Sequence, residues 1–187
     1  MRCACGRILT NSLCTTTSKL FVTGTVLQIN VSRGGIPKLP VESAMARAEG
    51  LEGDGHANPK VHGGPRQAVL VIAAEAIAEL QALGYALYPG ALGENITTEG
   101  IDYRTWRAGQ RWRIGDHTVL EFTKLRTPCQ TLFRYGAGIH AAIYDERVKA
   151  GDPSSPKWCM SGMYASVITP GVIQPGDSVV AVEPWSA

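Results

Sequence analysis

Alternation of apolar and polar positions recurs along much of the chain and predicts short β-strands. The clearest case is Phe21–Val31, where β-branched residues alternate roughly with polar ones, and we interpret it as the first strand. Further strands are predicted between glycine and proline turns, at residues 41–49, 67–72, 94–98, 111–114, 117–124, 160–169 and 177–182. This pattern favours a mainly β fold.

Two segments have the apolar spacing of a helix instead. In residues 73–83, Ile77 and Leu80 belong to an apolar stripe, and Gly84 ends the helix. A second helix is predicted over residues 139–149. Because the strands do not alternate regularly with helices, a doubly wound parallel sheet is disfavoured. We expect a β-barrel or sandwich with a few helical insertions.

Length and composition fit one globular domain. The chain has 187 residues, of which 44% are hydrophobic and 18% are charged, and a single domain is expected over residues 21–187. Residues 1–20 are rich in Ser, Thr and Cys and are predicted to form a flexible tail. The sequence has no run of 18 apolar residues, so no membrane-spanning helix and no membrane partner are expected. The net charge of +2 is too small to indicate bulk binding of nucleic acid.

The cysteines do not indicate a disulfide framework. There are five, an odd number, and Cys3, Cys5 and Cys14 lie in the predicted tail, which leaves Cys129 and Cys159 in the domain. A secreted, disulfide-stapled domain normally has an even and denser set. We therefore predict a cytoplasmic protein with reduced thiols.

Cys129 is the strongest candidate for chemistry. It follows a predicted strand, and Pro128, which has no N–H to donate, should make the chain leave the sheet and present the thiol at a rim. Lys124, Arg126 and Arg134 are close in sequence, and their positive charge favours a thiolate. A thiolate can ligate a soft metal or carry sulfur. The alternative is a buried cysteine that acts as a small apolar side chain.

The long glycine-rich connection over residues 50–66 has the length of a functional loop. Its glycines let backbone N–H groups approach an anion, and Arg66 adds a charged fork. Asp54, His56 and His62 form an alternative three-ligand zinc site for hydrolysis, but their spacing is not a known metal pattern. We favour loop bracing combined with ligand contact over zinc binding.

Two polar residues, Glu94 and Asn95, lie at the start of a predicted strand. The Asn95 amide has donors and an acceptor that can satisfy backbone groups of a neighbouring loop. We weigh this structural role at least equally with ligand binding.

Taken in order along the chain, these segments resemble the MOSC family, which is named after the C-terminal domain of molybdenum-cofactor sulfurase. The resemblance covers residues 21–183, and the Gly-Glu-Asn and Arg-x-Pro-Cys segments are specific as a pair. The main matching segments are Gly50-Leu-Glu-Gly-Asp54, His62-Gly-Gly-Pro-Arg-Gln-Ala-Val69, Pro89-Gly-Ala-Leu-Gly-Glu-Asn-Ile96, Arg126-Thr-Pro-Cys129 and Gly162-Met-Tyr-Ala-Ser-Val167.

The resemblance implies a mostly β, barrel-like fold with one reactive cysteine, here Cys129, which ligates molybdenum in a pterin-bound cofactor or carries sulfur. The His-Gly-Gly-Pro segment is most similar to small stand-alone members, some of which reduce N-hydroxylated compounds with electrons from a redox partner. Larger members add a pyridoxal-phosphate-dependent desulfurase domain. We expect no counterpart here, so pyridoxal phosphate binding is implied at the family level only.

The first hypothesis from this resemblance is a molybdenum-cofactor-binding oxidoreductase acting on a small-molecule substrate, with Cys129 as the catalytic residue and metal ligand. The implied cofactor-binding residues are His62, Arg66, Glu94, Asn95, Lys124 and Arg126. The cationic ones would neutralise the pterin phosphate, and the others would hold the pocket loop or meet the pterin. One alternative is a sulfur carrier that takes a persulfide from a donor protein onto Cys129. Another is a module that holds the cofactor without turnover.

Overall fold

Seven strands of the described residues close into a β-barrel in the computed structural model, which describes residues 22–55 and 63–182. The strands are β1 (Val22–Val31), β2 (Leu39–Val41), β3 (Ala44–Arg47), β4 (Gly50–Leu51), β5 (Val69–Ala73), β6 (Ile96–Glu99), β7 (Arg111–Ile114), β8 (Thr118–Leu125), β9 (Met163–Thr169), β10 (Gly171–Ile173) and β11 (Ser178–Ala181). The barrel follows the order β11, β7, β8, β9, β5, β6, β1, and β1 pairs with β11 to close it. Neighbouring barrel strands are antiparallel except for the parallel pair β5 and β6. The expected mainly β barrel is confirmed.

A smaller sheet in the order β10, β3, β4 contacts β8 and β9, while β2 pairs with the C-terminal end of β1. The single strand predicted over residues 41–49 is therefore wrong. The exposed polar residues Glu42 and Ser43 separate β2 from β3, and the two strands join different sheets. An alanine-rich segment has little strand propensity of its own, so its pairing partners decide where it breaks.

The interior of the barrel is a hydrophobic core. Burial alternates along β8, with Thr118, Leu120 and Phe122 inside, as the two-residue period of a strand requires. The Phe122 ring centroid lies 5.0 Å from that of Trp106 and 6.0 Å from that of Trp112. Aromatic groups thus fill this part of the barrel, and the polar candidate residues lie outside it.

Helix α1 (Ala74–Ala82) is the helix predicted over residues 73–83, and it follows directly from β5. All five residues of β5 are buried, which matches a strand covered on both faces. The helices within residues 22–55 and 63–182 include none with the length and apolar character needed to cross a membrane.

The single helix predicted over residues 139–149 is wrong, because the structure has two short helices, α2 (Ile139–Ile143) and α3 (Glu146–Lys149). Asp145 begins the second helix, since its Oδ1 accepts a hydrogen bond of 2.8 Å from the Val148 N–H. An aspartate at this position satisfies an N–H that the new helix leaves unpaired.

Residues 1–21, 56–62 and 183–187 lie outside the described part of the chain. The predicted tail and its three cysteines are among them, and so are His56 and His62. The predictions that concern these residues stay predictions.

Candidate functional site

A cavity of about 120 Å³ opens beside the C-terminal end of β8 and the start of β5. Its wall is formed by Gly35, Ile36, Lys38, Gly55, Gly63, Gln67, Leu70, Leu92, Gly93, Asn95, Arg126, Cys129, Thr131 and Tyr164. The fold thus brings together three of the sequence candidates, Asn95, Arg126 and Cys129, at one cavity.

The chain segment after β8 carries Cys129 to this cavity. Strand β8 ends one residue before Arg126, whose carbonyl oxygen accepts a hydrogen bond of 2.6 Å from Ser161 Oγ. Pro128 then has no N–H with which to continue the ladder. Cys129 follows as the residue that precedes the 3₁₀ helix Gln130–Tyr135. The chain leaves the sheet before Cys129 and Cys129 lines the cavity, as predicted, but the ladder already ends at Leu125, so Pro128 is not what ends it.

The Cys129 thiol is half-buried and has an environment that favours the thiolate. Burial raises its pKa, but hydrogen bonds from the side chain and backbone of Thr131, together with the positive charge of Arg126, outweigh burial. The result is a pKa below the usual cysteine value. The Cys129 Sγ and Thr131 Oγ1 atoms are 2.8 Å apart. A thiol of this kind is a better nucleophile and metal ligand at neutral pH than an ordinary cysteine.

The backbone of Cys129 is also fixed. Its carbonyl oxygen lies 2.8 Å from His140 Nε2, within hydrogen-bond distance. The His140 ring in turn stacks on Phe133, with ring centroids 4.2 Å apart and an angle of 25° between the planes. These contacts tie the 3₁₀ helix and α2 together behind the thiol.

Arg126 supplies a buried positive charge at the cavity wall. Its side chain lines the cavity while the residue is only 5% exposed. Within the described residues its Nη1 atom has no hydrogen-bond acceptor. A buried cationic donor without a partner is costly, so an anionic ligand in the cavity would satisfy it. Tyr164 is the neighbouring wall residue: burial raises its pKa, and the charge of Arg126 opposes that rise.

A second buried charge, Lys38, was not among the sequence candidates. The Lys38 ammonium lines the cavity and forms a buried ion pair with Asp54. Burial lowers the pKa of Lys38, and the charges of Asp54 and Glu94 oppose that shift. Asp54 also accepts a hydrogen bond of 2.9 Å from the Ser32 N–H. The N-terminal part of the glycine-rich loop is therefore held in place by Asp54.

Asn95 links this ion pair to the barrel. Its Nδ2 donates to Asp54 Oδ2 at 2.8 Å and to the Asn30 carbonyl oxygen at 3.3 Å, and its Oδ1 accepts from the Leu70 N–H at 3.1 Å. The amide therefore satisfies backbone groups of neighbouring segments, as the sequence analysis expected. The same residue lines the cavity, so the structural role and a ligand contact are compatible.

Glu94 lies beneath the cavity wall, between the wall residues Gly93 and Asn95, and is fully buried. Its Oε1 accepts hydrogen bonds from the Gly90 N–H at 2.5 Å and from Thr97 Oγ1 at 3.2 Å. Burial raises its pKa, and these bonds and the charge of Arg126 oppose the rise. Its Oε2 has no partner among the described residues. Glu94 thus orders the loop that carries Asn95 and does not itself line the cavity.

Arg66 and Lys124 are exposed and stand outside the cavity wall. The Arg66 carbonyl oxygen accepts a 2.6 Å hydrogen bond from Thr123 Oγ1, which places Arg66 beside β8. Lys124 Nζ lies 5.7 Å from the ring centroid of Tyr164. Both cations are therefore at the mouth of the cavity, where they can meet the outer part of an anionic ligand.

The zinc alternative stays a prediction, because two of its three ligands, His56 and His62, lie outside the described residues. The Asp54 carboxylate is already engaged by Lys38, Asn95 and the Ser32 N–H. Residues 22–55 and 63–182 hold no cluster of three metal-ligating side chains.

Cys159 has a different environment from Cys129. It is buried in the core, and its Sγ lies 3.7 Å from the Trp106 carbonyl oxygen. Burial raises the pKa of this thiol far above the usual value, and it is not among the residues that line the cavity. Buried apolar behaviour, which was the alternative for Cys129, applies to Cys159 instead.

Sequence reasoning missed Lys38, Gln67 and Tyr164 as cavity residues. The signal for Lys38 is weak: residues 1–41 are basic and contain no acidic residue, but Glu42 follows directly and nothing in the sequence indicates Asp54 as the partner. Tyr164 has no comparable signal, because it is one position in an ordinary alternating strand.

Comparison with known proteins points to one family. The family model of the MOSC domain matches residues 58–180. The uncharacterized protein YflK of Bacillus subtilis is 38% identical over 100 residues, covering 52% of this chain and 45% of YflK. The protein YiiM of Escherichia coli is 29% identical over 143 residues, covering 74% of this chain and 59% of YiiM. The chain thus spans about half the length of these relatives.

Solved structures agree on the fold. The crystal structure of YiiM from Geobacillus stearothermophilus superimposes with a TM-score of 0.61 at 22% identity, covering 86% of this chain and 75% of that protein. At this identity the likeness establishes the shared barrel architecture.

Proposed function

The chain belongs to the MOSC domain family, and from this membership we propose that it binds a molybdenum cofactor at the Cys129 cavity and reduces N-hydroxylated compounds. The observation that carries the proposal is the pairing of two groups at one cavity. Cys129 has a lowered pKa, and buried Arg126 has an Nη1 without an acceptor. A soft ligand and an unsatisfied cationic donor suit a soft metal held by an anionic organic molecule.

The residues of the cavity fit such a cofactor in chemistry and in part in size. Cys129 would ligate the metal, and Arg126 and Lys38 would meet anionic groups. A cavity of about 120 Å³ is below the roughly 300 Å³ of a typical complete ligand pocket, so it accommodates the reactive end of the cofactor or a small substrate. The exposed cations Arg66 and Lys124 at the mouth suit the phosphate end.

The proposed reaction breaks the N–O bond of the substrate. Two electrons and two protons are consumed: one proton goes to the nitrogen, the other goes to the oxygen, and the oxygen leaves as water. When bound, the cofactor supplies the two-electron, oxygen-accepting chemistry. The chain's own part is positioning: Thr131 favours the thiolate form of Cys129, His140 fixes its backbone, and the apolar wall at Leu70 and Leu92 receives the flat part of a small base.

A sulfur carrier is the second candidate, and the half-buried position of Cys129 together with its lowered pKa favours it as well. In that case the Cys129 thiolate attacks the outer sulfur of a persulfide on a donor protein, the donor leaves as a thiolate, and an acceptor then removes the sulfur from Cys129. A module that holds the cofactor without turnover is the third candidate. Metal content and turnover distinguish the three.

The experiment uses the full chain produced in a host that synthesises the molybdenum cofactor. Molybdenum and pterin content are measured in the wild type, in Cys129→Ala and in the matched control Cys159→Ala, and turnover of an N-hydroxylated purine is followed with a chemical reductant. We expect Cys129→Ala to lose both metal and turnover, and Cys159→Ala, if folded by circular dichroism, to keep both.

Full metal content and full turnover in Cys129→Ala would refute the proposal. A metal-free wild type with one extra sulfur atom on Cys129 would favour the carrier, and a loaded but inactive wild type would favour the module.

A further inference from the structure

Three of the segments that form the cavity wall are cationic and contain no carboxylate. Residues 22–41, 63–74 and 122–144 include Lys and Arg but not a single Asp or Glu. Their six cations are Arg33, Lys38, Arg66, Lys124, Arg126 and Arg134. Most of the cavity wall comes from these segments. The carboxylates next to the wall, Asp54 and Glu94, belong to its other segments.

Four of these cations are exposed, and each is attached to the cavity wall. Arg134 Nη1 donates to the carbonyl oxygen of the wall residue Ile36 at 2.5 Å, and Lys124 lies over the ring of a wall tyrosine. The Arg33 backbone lies against Gly55, close enough that a Cβ on Gly55 would be 2.9 Å from the Arg33 carbonyl oxygen. Arg66 immediately precedes the wall residue Gln67 in sequence. We call these four residues the cationic rim.

The cationic rim is not neutralised by the protein itself. In the described residues none of its four members forms an ion pair, whereas exposed cations elsewhere are paired with carboxylates, such as Arg47 with Glu52 and Arg104 with Glu79. The two carboxylates nearest the wall, Asp54 and Glu94, are buried, and Asp54 is already paired with Lys38. A surface of one sign beside a concave site attracts partners of the opposite charge and raises their association rate.

An exposed aromatic residue lies within this surface. Phe133 is 47% exposed and directly precedes Arg134 of the cationic rim. Its ring stacks on His140, whose Nε2 contacts the Cys129 carbonyl oxygen. An accessible aromatic ring next to an unpaired cation in sequence is typical of a protein-docking surface. Here it lies one stacked ring away from the backbone of the reactive cysteine.

We propose that the cationic rim and Phe133 form the docking surface for an acidic electron-carrier protein, which delivers electrons to the Cys129 cavity. The proposal rests on the proposed reductase function, because that reaction needs an external donor of two electrons. With a fully reduced flavin protein the reaction balances. The neutral hydroquinone gives two electrons and two protons, the N–O bond breaks, and the products are the reduced base, water and the oxidised flavin.

The position of the unpaired cations beside the cavity favours an acidic redox protein over other polyanions. A redox protein must approach the cavity mouth itself, and the unpaired cations are connected to residues of the cavity wall. Nucleic acid is favoured by extended basic grooves with several stacking aromatics, whereas this surface offers one exposed ring among the described residues of the 3₁₀ helix and α2.

The test measures binding and turnover separately, with a flavodoxin as the acidic probe. The double variant Arg33→Glu/Arg134→Glu reverses two rim charges. The control Arg113→Glu/Lys149→Glu changes the net charge equally at residues outside the three acid-free segments. Binding of oxidised flavodoxin to the full chain is measured by calorimetry at low and high salt. Turnover of the cofactor-loaded protein is measured with reduced flavodoxin and with reduced riboflavin, a small neutral donor.

We expect the rim variant to bind flavodoxin at least tenfold more weakly at low salt and to lose a much larger share of flavodoxin-driven turnover than of riboflavin-driven turnover. The control variant should stay within about twofold of the wild type in both assays.

Equal weakening in both double variants, or no weakening in the rim variant, would overturn the docking surface. Tighter binding of an oligonucleotide or of anionic vesicles than of flavodoxin, with the same sensitivity to the rim charges, would also overturn it. Absence of riboflavin-driven turnover in the wild type would count against the proposed function, and rim-dependent flavodoxin binding would still support the docking surface.

Discussion

Asn95 and Asp54 are joined by a hydrogen bond of 2.8 Å between Nδ2 of the amide and Oδ2 of the carboxylate, across 41 residues of sequence. The bond connects the N-terminal part of the glycine-rich loop to the segment that enters β6. Because Lys38 pairs with the same Asp54 oxygen, one carboxylate holds both a cavity cation and the loop beside it. The buried polar side of the cavity is thus a single network whose parts depend on one another.

The first prediction concerns Asn95→Asp. The substitution replaces the Nδ2 donor by an oxygen and brings a second carboxylate against Asp54, while the backbone acceptor on Asn30 loses its donor. We expect the free energy of unfolding at pH 7 to fall by about 2 to 4 kcal/mol, as measured by urea denaturation. Part of the loss should be recovered on acidification, because protonating one carboxyl restores a donor. Wild-type stability for Asn95→Asp at pH 7 would contradict the network.

The second prediction compares two glycines with the same backbone conformation. Gly90 has φ +92° and Gly109 has φ +88°, so alanine at either site suffers the left-handed penalty of about 1 to 2 kcal/mol. At Gly90 the new methyl group would also overlap the Lys38 carbonyl oxygen, whereas at Gly109 it would meet nothing within 4 Å. We expect Gly90→Ala to lose markedly more unfolding free energy than Gly109→Ala in urea denaturation. Equal losses would show that Lys38 and its loop are not held against Gly90.

The barrel was predictable because each of its strands has a local sequence signal, the alternation of apolar and polar residues between turn residues. Strand β7 (Arg111–Ile114) has the predicted bounds, and the alternation of β8 is the burial pattern that the structure shows. The exit of the chain before Cys129 was predictable because a proline cannot continue a ladder, although the strand itself ends earlier, at Leu125. These are properties that neighbouring residues determine among themselves.

The cavity network was not predictable in this way, because its partners meet only in the folded chain. The Lys38–Asp54 pair and the Asp54–Asn95 bond depend on how three loops are placed around the barrel. The break between β2 and β3 depends likewise on two different sheets. The sequence identified the residue types at Glu94 and Asn95, but only the fold shows that the amide lines the cavity and the carboxyl lies beneath it.

The third prediction concerns Glu94→Gln. Burial raises the pKa of Glu94 in the folded protein above its unfolded value. The carboxyl therefore contributes fully to stability below the unfolded pKa of about 4.3, and that contribution is lost as pH rises through the folded pKa. Gln keeps an oxygen for the Gly90 N–H and has no charge to bury. We expect the unfolding free energy of Glu94→Gln minus that of the wild type to increase between pH 4.5 and pH 8 in urea denaturation. A difference independent of pH would show that Glu94 has the same pKa in both states.

The fourth prediction concerns the ionisation of Cys129. Burial raises the pKa of its thiol, but hydrogen bonds from Thr131 and the charge of Arg126 bring the value below that of an ordinary cysteine. Thr131→Val keeps the shape of the side chain and removes its hydroxyl donor, so the pKa should rise and the thiolate fraction at pH 7 should fall. We expect the alkylation rate of Cys129 by iodoacetamide to decrease at pH 7, and the midpoint of its pH profile to move upward.

Because Cys159 is buried in the core with a raised pKa, it serves as an internal control and should react only after denaturation. The experiment distinguishes Thr131 from Arg126 as the source of the low pKa. An unchanged pH profile in Thr131→Val would assign the lowered pKa of Cys129 to the charge of Arg126. In that case Arg126→Gln by itself should raise the midpoint of the pH profile.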